Sequence, residues 1–361
     1  MTGAWGALPD WIRIWMQCGW WQERRDRRTA SARGCWQAEA VTDSGRVGPN
    51  GLAMADPLDA DALAEAGRAA GLRVVVVDET GSTNADVAAR ARAGEPAGLV
   101  IVAERQRAGR GRLDRSWVSP PGRGLTVSVL ARPAVPAARL GWVPMVAGTS
   151  LAATLRSRFG VPAWLKWPND VLAGGDKLAG ILVELVPAAP APASALPAGL
   201  VIGFGLNVHT TAAELPPGGT SLAVLAAAAA RPLPDVDVDA GAGAGTGAGT
   251  GAAAAFASAG RRAGAAAGGP AEVPRRTGLL AVLLADLAGA LARFEADPAA
   301  ARAAYREVCA TLGRDVRVEL PGGESVVGVA ADVDETGRLV VGGRAFSAAD
   351  VVHLRPAPAA S

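Results

Sequence analysis

The stretch Leu99-Val-Ile-Val-Ala-Glu-Arg-Gln-Arg-Ala-Gly-Arg-Gly-Arg-Leu-Asp-Arg-Ser-Trp117 joins an apolar run to a loop rich in arginine and glycine. The apolar part, Leu99 to Ala103, predicts a buried strand of the α/β type. A second β-rich run, Leu125 to Leu130, follows the loop. The basic segment is therefore predicted to connect two strands, a position where binding residues usually lie.

The loop carries five arginines, at positions 105, 107, 110, 112 and 115, against one acid, Asp114. Glycines at 109 and 111 allow close approach of the backbone and offer N–H groups to anionic oxygens. Arginine adds planar charged groups that match phosphate or carboxylate with two hydrogen bonds. A polyanion site is one hypothesis. A solvated basic loop and a nucleic-acid contact are alternatives that the loop alone leaves open.

Composition limits the class of protein. The chain has 361 residues, enough for two or more domains, and 36 Lys+Arg against 34 Asp+Glu. This balance argues against a generally basic nucleic-acid protein, and we expect no nucleic-acid partner. We find no apolar run near the ~20 residues that span a bilayer and no signal peptide, so we expect a cytoplasmic protein with no membrane contact. Three scattered cysteines predict neither a disulfide framework nor a metal cluster.

Three polar residue types are scarce after Met54. Only two lysines (166 and 177), three asparagines (84, 169 and 207) and one glutamine (106) occur there. The rest of this part of the chain relies on Arg, Ala and Gly. The scarce residues are therefore candidates for roles that arginine or alanine cannot fill.

The candidates fall at predicted turns and strand ends. Ser82, Thr83 and Asn84 follow a Val-rich strand and begin a helix, where Ser82 or Asn84 is either a plain N-cap or a ligand contact. Pro168 makes Trp164 to Asp170 a rigid turn from which Lys166, Asn169 and Asp170 project.

Further along the chain, Gly174-Gly175 predicts a hairpin that brings Lys177 near Asp170. Gly203 and Gly205 predict close approach of a ligand or a neighbouring backbone to the strand that Asn207 closes.

Several helices and domains are predicted. Helices are expected at 56–70, 136–159, 276–295 and 298–312, and residues 314–354 alternate Val-rich runs with glycine turns, as in a meander or β-barrel of about five strands. Residues 1–53 are predicted to be an N-terminal arm, disordered or upstream of a true start at Met54. Residues 231–275 are low in complexity and predicted to be a disordered insertion. The domains are then 54–312, which includes this insertion, and 313–355.

Five motifs together resemble the biotin protein ligases. They are Gly81-Ser-Thr-Asn84, Gln106-x-x-Gly-Arg-Gly-Arg-x-x-Arg-x-Trp117, Lys166-Trp-Pro-Asn-Asp170, Lys177-Leu-Ala-Gly-Ile-Leu-Val-Glu184 and Gly203-x-Gly-Leu-Asn-Val208. The resemblance covers roughly residues 73–355 apart from the insertion. It departs at Asp114, where many members have glycine, and at the insertion itself, which we expect to be a bystander.

The resemblance implies a fold of class α+β. The expected architecture is a mixed β-sheet flanked by helices, of the class II aminoacyl-tRNA synthetase/biotin ligase-like type, plus a small C-terminal SH3-like β-barrel. Residues 1–53 show no two-helix pattern of a DNA reader. We therefore expect a monofunctional ligase without a DNA-binding domain.

The resemblance also implies a reaction. Biotin and ATP, with Mg²⁺, would give biotinyl-5′-AMP and pyrophosphate, and the biotinyl group would pass to a lysine of a biotin carboxyl carrier protein. One alternative is a lipoate or octanoate ligase of the same fold, and another is a biotin-binding transcriptional regulator.

The motifs imply catalytic roles for Lys177, Arg112, Arg110 and Asp170. Arg110, Gly111 and Arg112 would line a loop that folds over biotin and the adenylate. Lys177 would bind the reacting carboxylate and α-phosphate oxygens. Asp170 would assist Mg²⁺ or orient the incoming lysine.

The same motifs imply a set of binding residues: Ser82, Thr83, Asn84, Gln106, Arg110, Gly111, Arg112, Trp117, Asn169, Lys177, Gly180 and Asn207. Ser82, Thr83, Asn84 and Gln106 would satisfy the ureido head of biotin. Trp117 would stack on adenine or support the loop.

Overall fold

The structure is a computed structural model that describes residues 56–113, 115–187, 198–229, 273–320, 323–347 and 349–354. The predicted arm at 1–53 lies outside the described residues. So does the predicted insertion up to residue 272.

The larger part of the molecule is a mixed sheet of seven strands. The strands are β1 (Arg73–Thr80), β2 (Leu99–Gln106), β3 (Gly124–Ala131), β4 (Ala163–Lys166), β5 (Asp170–Ala173), β6 (Asp176–Val186) and β7 (Gly199–Asn207). Their order is β1-β2-β3-β7-β6-β5-β4, with β1 parallel to β2 and the other neighbours antiparallel. The predicted strand–loop–strand arrangement of β2 and β3 is confirmed, and these strands are direct neighbours.

Helices cover both faces of this sheet. They are α1 (Ala60–Ala69), α2 (Thr83–Arg92), α3 (Val143–Phe159), α4 (Leu222–Ala229), α5 (Arg276–Ala296) and α6 (Pro298–Val308). Val100 and Val102 of β2 join the larger core with α1, α3 and α5, while Leu99 and Ile101 pack with α2 on the other face. Because successive strand residues point to opposite faces, a run that is apolar throughout is buried on both. The predicted mixed sheet flanked by helices is confirmed.

Two helix predictions need correction. Residues 136–159 do not form one helix, because a 3₁₀ segment, Ala137–Trp142, precedes α3. Pro144 lies in the first turn of α3, and because proline has no N–H it cannot donate the hydrogen bond that would continue a helix from the preceding turn. The helix predicted to end at 312 ends at Val308.

Helix α5 is more apolar than expected, because the sequence analysis found no apolar run near the length that spans a bilayer. Its 21 residues have the length and mean hydropathy of a membrane-crossing helix, the one such helix in the described part of the chain. Its leucines at 279, 280, 283, 284 and 287 are at most 2 % exposed and lie in the larger core. In this fold, α5 is a core helix.

A second, five-stranded antiparallel sheet follows. Its strands are β8 (Asp315–Glu319), β9 (Ser325–Val333), β10 (Leu339–Val341), β11 (Arg344–Phe346) and β12 (Asp350–His353), in the order β11-β10-β9-β8-β12. The predicted C-terminal β-unit is confirmed, while its closure into a barrel stays a prediction. The indole N–H groups of Trp142 and Trp167 donate to carbonyls of its 334–337 turn, each at 3.1 Å. These bonds hold the second sheet against the first.

A buried ion pair lies at the base of the arginine loop. Arg276, 0 % exposed, donates to Glu104 at the end of β2, whose side chain is 3 % exposed. Arg276 also donates to the carbonyls of Asp56 and Gly124, and the Asp56 carboxylate pairs with His209 at 3.0 Å. The network joins the start of the described chain, β2, β3 and α5 at one point.

Candidate active site

A cavity of about 250 Å³ opens between the arginine loop, the main sheet and the second sheet. Most of the predicted site residues line it: Ser82, Thr83, Asn84, Gln106, Arg110, Gly111, Arg112, Trp117, Asn169, Asp170, Lys177 and Gly180. The loop arginines and Lys177 thus face the same space. Arg115 and Lys166 add two more cations, while Asp170, Glu319 and Asp350 are the acids of the lining. The excess of cations suits an anionic ligand.

The floor of the cavity is made of neutral polar side chains. The Gln106 carbonyl accepts from the Thr83 backbone N–H at 2.8 Å. The buried Ser128 hydroxyl lies 2.7 Å from the Thr83 hydroxyl and 2.5 Å from the Asn84 carbonyl oxygen. The Asn84 amide nitrogen donates to Glu184 at 2.6 Å. Polar groups on β2, β3, α2 and β6 therefore form one connected chain.

Ser82 occupies the predicted N-cap of α2, but its side chain makes no capping hydrogen bond. The side chains of Ser82, Thr83 and Asn84 are nearly buried, each 3 to 6 % exposed. Their place at the helix start directs them toward the sheet and the cavity rather than toward solvent.

Two glycines of β7 make room for the residues above them. A Cβ at Gly203 would lie 2.0 Å from the Asn84 amide oxygen, and one at Gly205 would lie 2.2 Å from the Trp117 indole. A close approach does occur at both glycines, but the neighbours are side chains, an amide and an indole, instead of the predicted ligand or backbone. Gly180, paired with Gly205, completes the platform under Trp117.

The arginine loop is a hairpin that folds back onto the sheet. Gly111 N–H donates to the Arg115 carbonyl at 2.6 Å, and Trp117 N–H donates to the Gly109 carbonyl at 2.9 Å. A Cβ at Gly109 would lie 2.3 Å from the Trp117 carbonyl oxygen, so only glycine fits there. Leu113, at the tip, has a positive φ of 52°.

Each of three loop arginines has a polar partner on a different element. Arg110 pairs with Glu184 of β6 at 3.2 Å, and Arg112 donates to Asn169 at 3.3 Å. Arg115 pairs with Asp350 of β12 in the second sheet. Burial lowers the pKa of Arg112, while Asp350 and Asp170 oppose that shift. Since an arginine pKa is normally far above neutrality, the group stays charged.

Lys177 lies at the opposite wall. Its ammonium is 2.7 Å from Asp170 and 5.9 Å from the centre of the Trp117 ring. Gly174 and Gly175, with φ of 63° and 93°, turn the hairpin that brings β6 back beside β5. The predicted proximity of Lys177 and Asp170 is confirmed.

The turn before β5 is held from both sides. Asn169 donates from its amide to the Ile181 carbonyl at 2.8 Å, and Ile181 N–H donates to the Asn169 carbonyl at 2.9 Å. On the other side, the Trp167 N–H donates to the Thr311 hydroxyl at 3.0 Å. The peptide bond between Trp167 and Pro168 is cis.

The structure does not bring Asn207 to the cavity. Its amide is buried and donates to the Thr220 carbonyl at 2.9 Å. Thr220 N–H in turn donates to the Lys177 carbonyl at 2.9 Å, and Lys177 N–H donates to Gly218. Asn207 therefore supports the segment that carries Lys177. The sequence shows only the scarcity of asparagine, which does not distinguish a supporting role from a binding one.

Three residues of the site escaped the sequence analysis. Ser128 stands in the middle of an apolar strand, where a small polar residue is the available signal. Glu184 is the last residue of the Lys177–Glu184 motif, and the motif itself implies no role for it. Asp350 reaches the site only through the packing of the second sheet, and its local sequence gives no sign of this.

Comparisons with known proteins place these features in context. The chain matches the model of the biotin/lipoate A/B protein ligase family over residues 79–207 and that of the biotin protein ligase C-terminal domain over residues 311–354. It is 37 % identical over 328 residues to a biotin–[acetyl-CoA-carboxylase] ligase of Mycobacterium tuberculosis, covering 87 % of this chain and 100 % of that one. It is 37 % identical over 134 residues to the bifunctional ligase/repressor BirA of Escherichia coli, covering 37 % of this chain and 39 % of the relative.

Among solved structures, a biotin protein ligase from Aquifex aeolicus in complex with biotin and ATP superposes with a TM-score of 0.53 at 22 % identity. The match covers 78 % of this chain and 99 % of that one. This likeness concerns the fold.

Proposed function

This chain belongs to the biotin protein ligase family, and we propose that it activates biotin with ATP and transfers it to a lysine of a carrier protein. The observation that carries the proposal is the shape of the cavity. A cationic loop and one lysine converge from two sides over a floor of neutral hydrogen-bonding groups. We further propose that residues 54–312 form the catalytic unit and residues 313–355 a C-terminal unit.

The first step joins two anions. The biotin carboxylate attacks the α-phosphate of ATP, forming the C–O–P bond of biotinyl-5′-AMP and releasing pyrophosphate. Arg110, Arg112 and Lys177 offset the repulsion between carboxylate and phosphate, and such preorganised electrostatic stabilisation is often the largest catalytic effect. Lys177 suits the reacting centre because its ammonium is compact and can donate to several oxygens at once.

The floor suits the uncharged head of biotin. Asn84, Thr83 and Gln106 line the cavity and offer hydrogen bonds, and the glycines of β6 and β7 let the Asn84 amide and the Trp117 indole lie close to the sheet. Trp117 lies over Gly205 and close to Lys177, where it supports the loop or stacks on adenine. The polar floor would thus hold biotin while the cations act at its carboxylate.

Magnesium fits this site as a partner of ATP. Within the described ranges, no group of three or more His, Cys, Asp or Glu side chains could hold a metal alone. Mg²⁺ commonly binds through one or two carboxylates together with substrate phosphates. Asp170 would be its protein ligand, and the ion would offset phosphate charge.

The second step transfers the biotinyl group. The amine of the carrier lysine attacks the mixed anhydride, the amide forms, and AMP leaves with its phosphate oxygen. Orienting that amine is the alternative role for Asp170, in place of holding Mg²⁺. The loop would exclude water that otherwise hydrolyses the anhydride.

The alternatives receive less support. The family model that matches residues 79–207 covers biotin and lipoate ligases, but the match at residues 311–354 is to the biotin enzymes. For a DNA-binding regulator, the relevant arm lies outside the described residues. Cytoplasmic location and the lack of nucleic-acid or membrane partners stay predictions.

The test is a reconstituted transfer. The purified chain is incubated with biotin, Mg²⁺–ATP and an apo carrier domain, and carrier mass and AMP are measured. We expect one biotin per carrier with stoichiometric AMP, and none on a carrier whose target lysine is replaced by arginine. Transfer of lipoate with no transfer of biotin would contradict the proposal.

A further inference from the structure

The hydrogen-bond chain beneath the cavity has a direction. Ser128, 0 % exposed, has one hydroxyl hydrogen but two oxygen neighbours, Asn84 Oδ1 at 2.5 Å and Thr83 Oγ1 at 2.7 Å. The amide oxygen of Asn84 carries no hydrogen, so Ser128 must donate to it. The Thr83 hydroxyl also has one hydrogen, which it can donate to Ser128 or to the Gln106 carbonyl oxygen at 3.1 Å.

The contacts of the Asn84 amide nitrogen determine which way the amide is oriented. Its nitrogen faces two acceptors, the Glu184 carboxylate at 2.6 Å and the Leu182 carbonyl at 3.3 Å. Turning the amide over would place its oxygen against both acceptors. Oxygen and nitrogen of an amide are told apart by such networks, and here every neighbour selects the same orientation.

The chain leaves defined groups for a ligand. Both amide hydrogens of Asn84 are used inside the protein, so Asn84 can offer only the second lone pair of its oxygen. Gln106 is fixed the opposite way, because its oxygen accepts from the Thr83 backbone N–H and its NH₂ remains. The floor therefore presents an acceptor at Asn84 and donors at Gln106.

We propose that Glu184 and Ser128 are positioning residues that clamp the two ends of the Asn84 amide and thereby select a ligand with an N–H donor beside a carbonyl acceptor. A cyclic urea has this pair of groups, whereas a dithiolane ring has neither. A site built to hydrogen-bond a ligand group discriminates strongly against analogues that lack it. This inference rests on the proposed function and extends it to the choice between biotin and lipoate.

Glu184 also connects the floor to the loop. Its carboxylate accepts from Asn84 and pairs with Arg110 at 3.2 Å. Gly203 completes the arrangement, since any side chain there would displace the Asn84 oxygen. The clamp thus depends on three strands: Ser128 on β3, Gly203 on β7 and Glu184 on β6.

The first test removes one hydroxyl. Ser128→Ala is expected to raise the Kd for biotin roughly tenfold to a hundredfold, because a ligand N–H then meets a poorly held acceptor. The Kd for lipoate is expected to stay unchanged. Thr154→Val is the matched control, since Thr154 is a buried hydroxyl, 2 % exposed, that bonds a carboxylate on another helix.

The second test compares two replacements of Glu184. Glu184→Gln keeps an acceptor for the Asn84 amide and is expected to retain most of the preference for biotin over lipoate. Glu184→Leu has no acceptor and is expected to lose that preference. A role in stability alone would lower Tm in each variant without changing the ratio of the two dissociation constants.

The third readout needs no ligand. In the free wild-type protein the Asn84 side-chain NH₂ protons are expected to exchange slowly in NMR spectra, and to exchange faster in Glu184→Leu.

Failure of wild type to bind biotin would contradict the proposed function. Wild-type binding of biotin, with an unaltered biotin-to-lipoate ratio in folded Ser128→Ala and Glu184→Leu, would overturn the clamp alone. Fast exchange of the Asn84 side-chain NH₂ protons in the free wild-type protein would also overturn the clamp.

Discussion

The loop after β2 is held by ion pairs of two kinds. At its base, Glu104 pairs with Arg276, and their side chains are 3 % and 0 % exposed. Along its span, Arg110 pairs with Glu184 at 47 % and 27 % exposure, and Arg115 pairs with Asp350 at 67 % and 26 %. The same loop thus has a buried ion pair at its base and partly exposed ion pairs along its span.

This difference in burial separates two tasks. A buried charge that loses its partner is strongly destabilising, so the base is fixed. An exposed pair contributes little and is screened by salt, so the contacts along the span can break and reform. A flap that closes over an adenylate needs this combination, because its ends must stay in register while its middle moves.

The largest effect, on the free energy of unfolding, is expected for the Glu104–Arg276 pair at the base of the loop. Arg276→Met leaves Glu104 buried without its partner and should lower the free energy of unfolding by about 3–5 kcal/mol. Urea denaturation measures this. Arg73→Ala breaks an exposed pair, with Arg73 52 % exposed, and should cost below about 1 kcal/mol. Equal losses in both variants would remove the distinction between the buried pair at the base of the loop and an exposed pair on the surface.

The next largest effect is expected at Lys177, which meets the loop across the cavity. Lys177→Ala should slow biotin-dependent pyrophosphate release by roughly a hundredfold or more, since one well-placed donor contributes about 3 kcal/mol. Lys166→Ala removes the other lysine of the cavity lining and should cost less, because Lys177 is the lysine beside Asp170. Normal pyrophosphate release in Lys177→Ala would contradict its role.

A pH change tests the anchoring of the second sheet. Burial, with Lys166 and Arg314 nearby, lowers the pKa of His353 from 6.5 to about 4. The His353 Nε2 atom lies within hydrogen-bonding distance, 3.0 Å, of the Thr311 hydroxyl, whose oxygen accepts from the Trp167 N–H. Since the folded pKa is depressed, the stability from neutral His353 is complete above pH 6.5 and declines as pH falls toward 4.

We expect a loss of about 1–2 kcal/mol between pH 7 and pH 5, allowing for partial screening. His353→Gln should lose less over the same range. Thermal unfolding at both pH values measures the difference. An equal loss in the variant would assign the acid sensitivity to other groups.

A smaller effect is expected in the middle of the loop. Arg112→Gly breaks the contact with Asn169 and should slow adenylate formation less than Lys177→Ala does, because Arg110 and Lys177 remain, while the product escapes. Biotinylation of a bystander protein should then increase several-fold in a streptavidin blot. Arg107→Gly, at an exposed position outside the cavity lining, serves as the control. If Arg112→Gly biotinylates the bystander protein no more than wild type does, the proposed closure of the loop over the adenylate is contradicted.

The smallest effect is expected for the pair between the loop and the second sheet. A double-mutant cycle of Arg115→Ala and Asp350→Ala should give a coupling energy below about 1 kcal/mol that declines with added salt. A coupling above about 2 kcal/mol, insensitive to salt, would show that this contact is a fixed anchor like the base.

Local patterns in the sequence predicted much of this arrangement. Apolar runs located β2 and β3, the paired glycines located the hairpin before Lys177, and the scarcity of lysine and glutamine singled out residues 106 and 177. Contacts between distant segments were not predictable. Arg276 and Glu104 are 172 positions apart, and Arg115 and Asp350 are 235 apart. Asn207 is the opposite case. The scarcity of asparagine made it a candidate binding residue, but its side chain bonds Thr220 and does not line the cavity.

Hydrogen exchange measures whether the span of the loop moves while its base stays fixed. We would compare the free protein with the protein bound to a non-hydrolysable biotinyl-adenylate analogue. We expect the amides of β3 and β7 to exchange slowly in both states, while those of residues 109–116 exchange quickly in the free protein and become protected on binding. Equal protection of the loop in both states would contradict it.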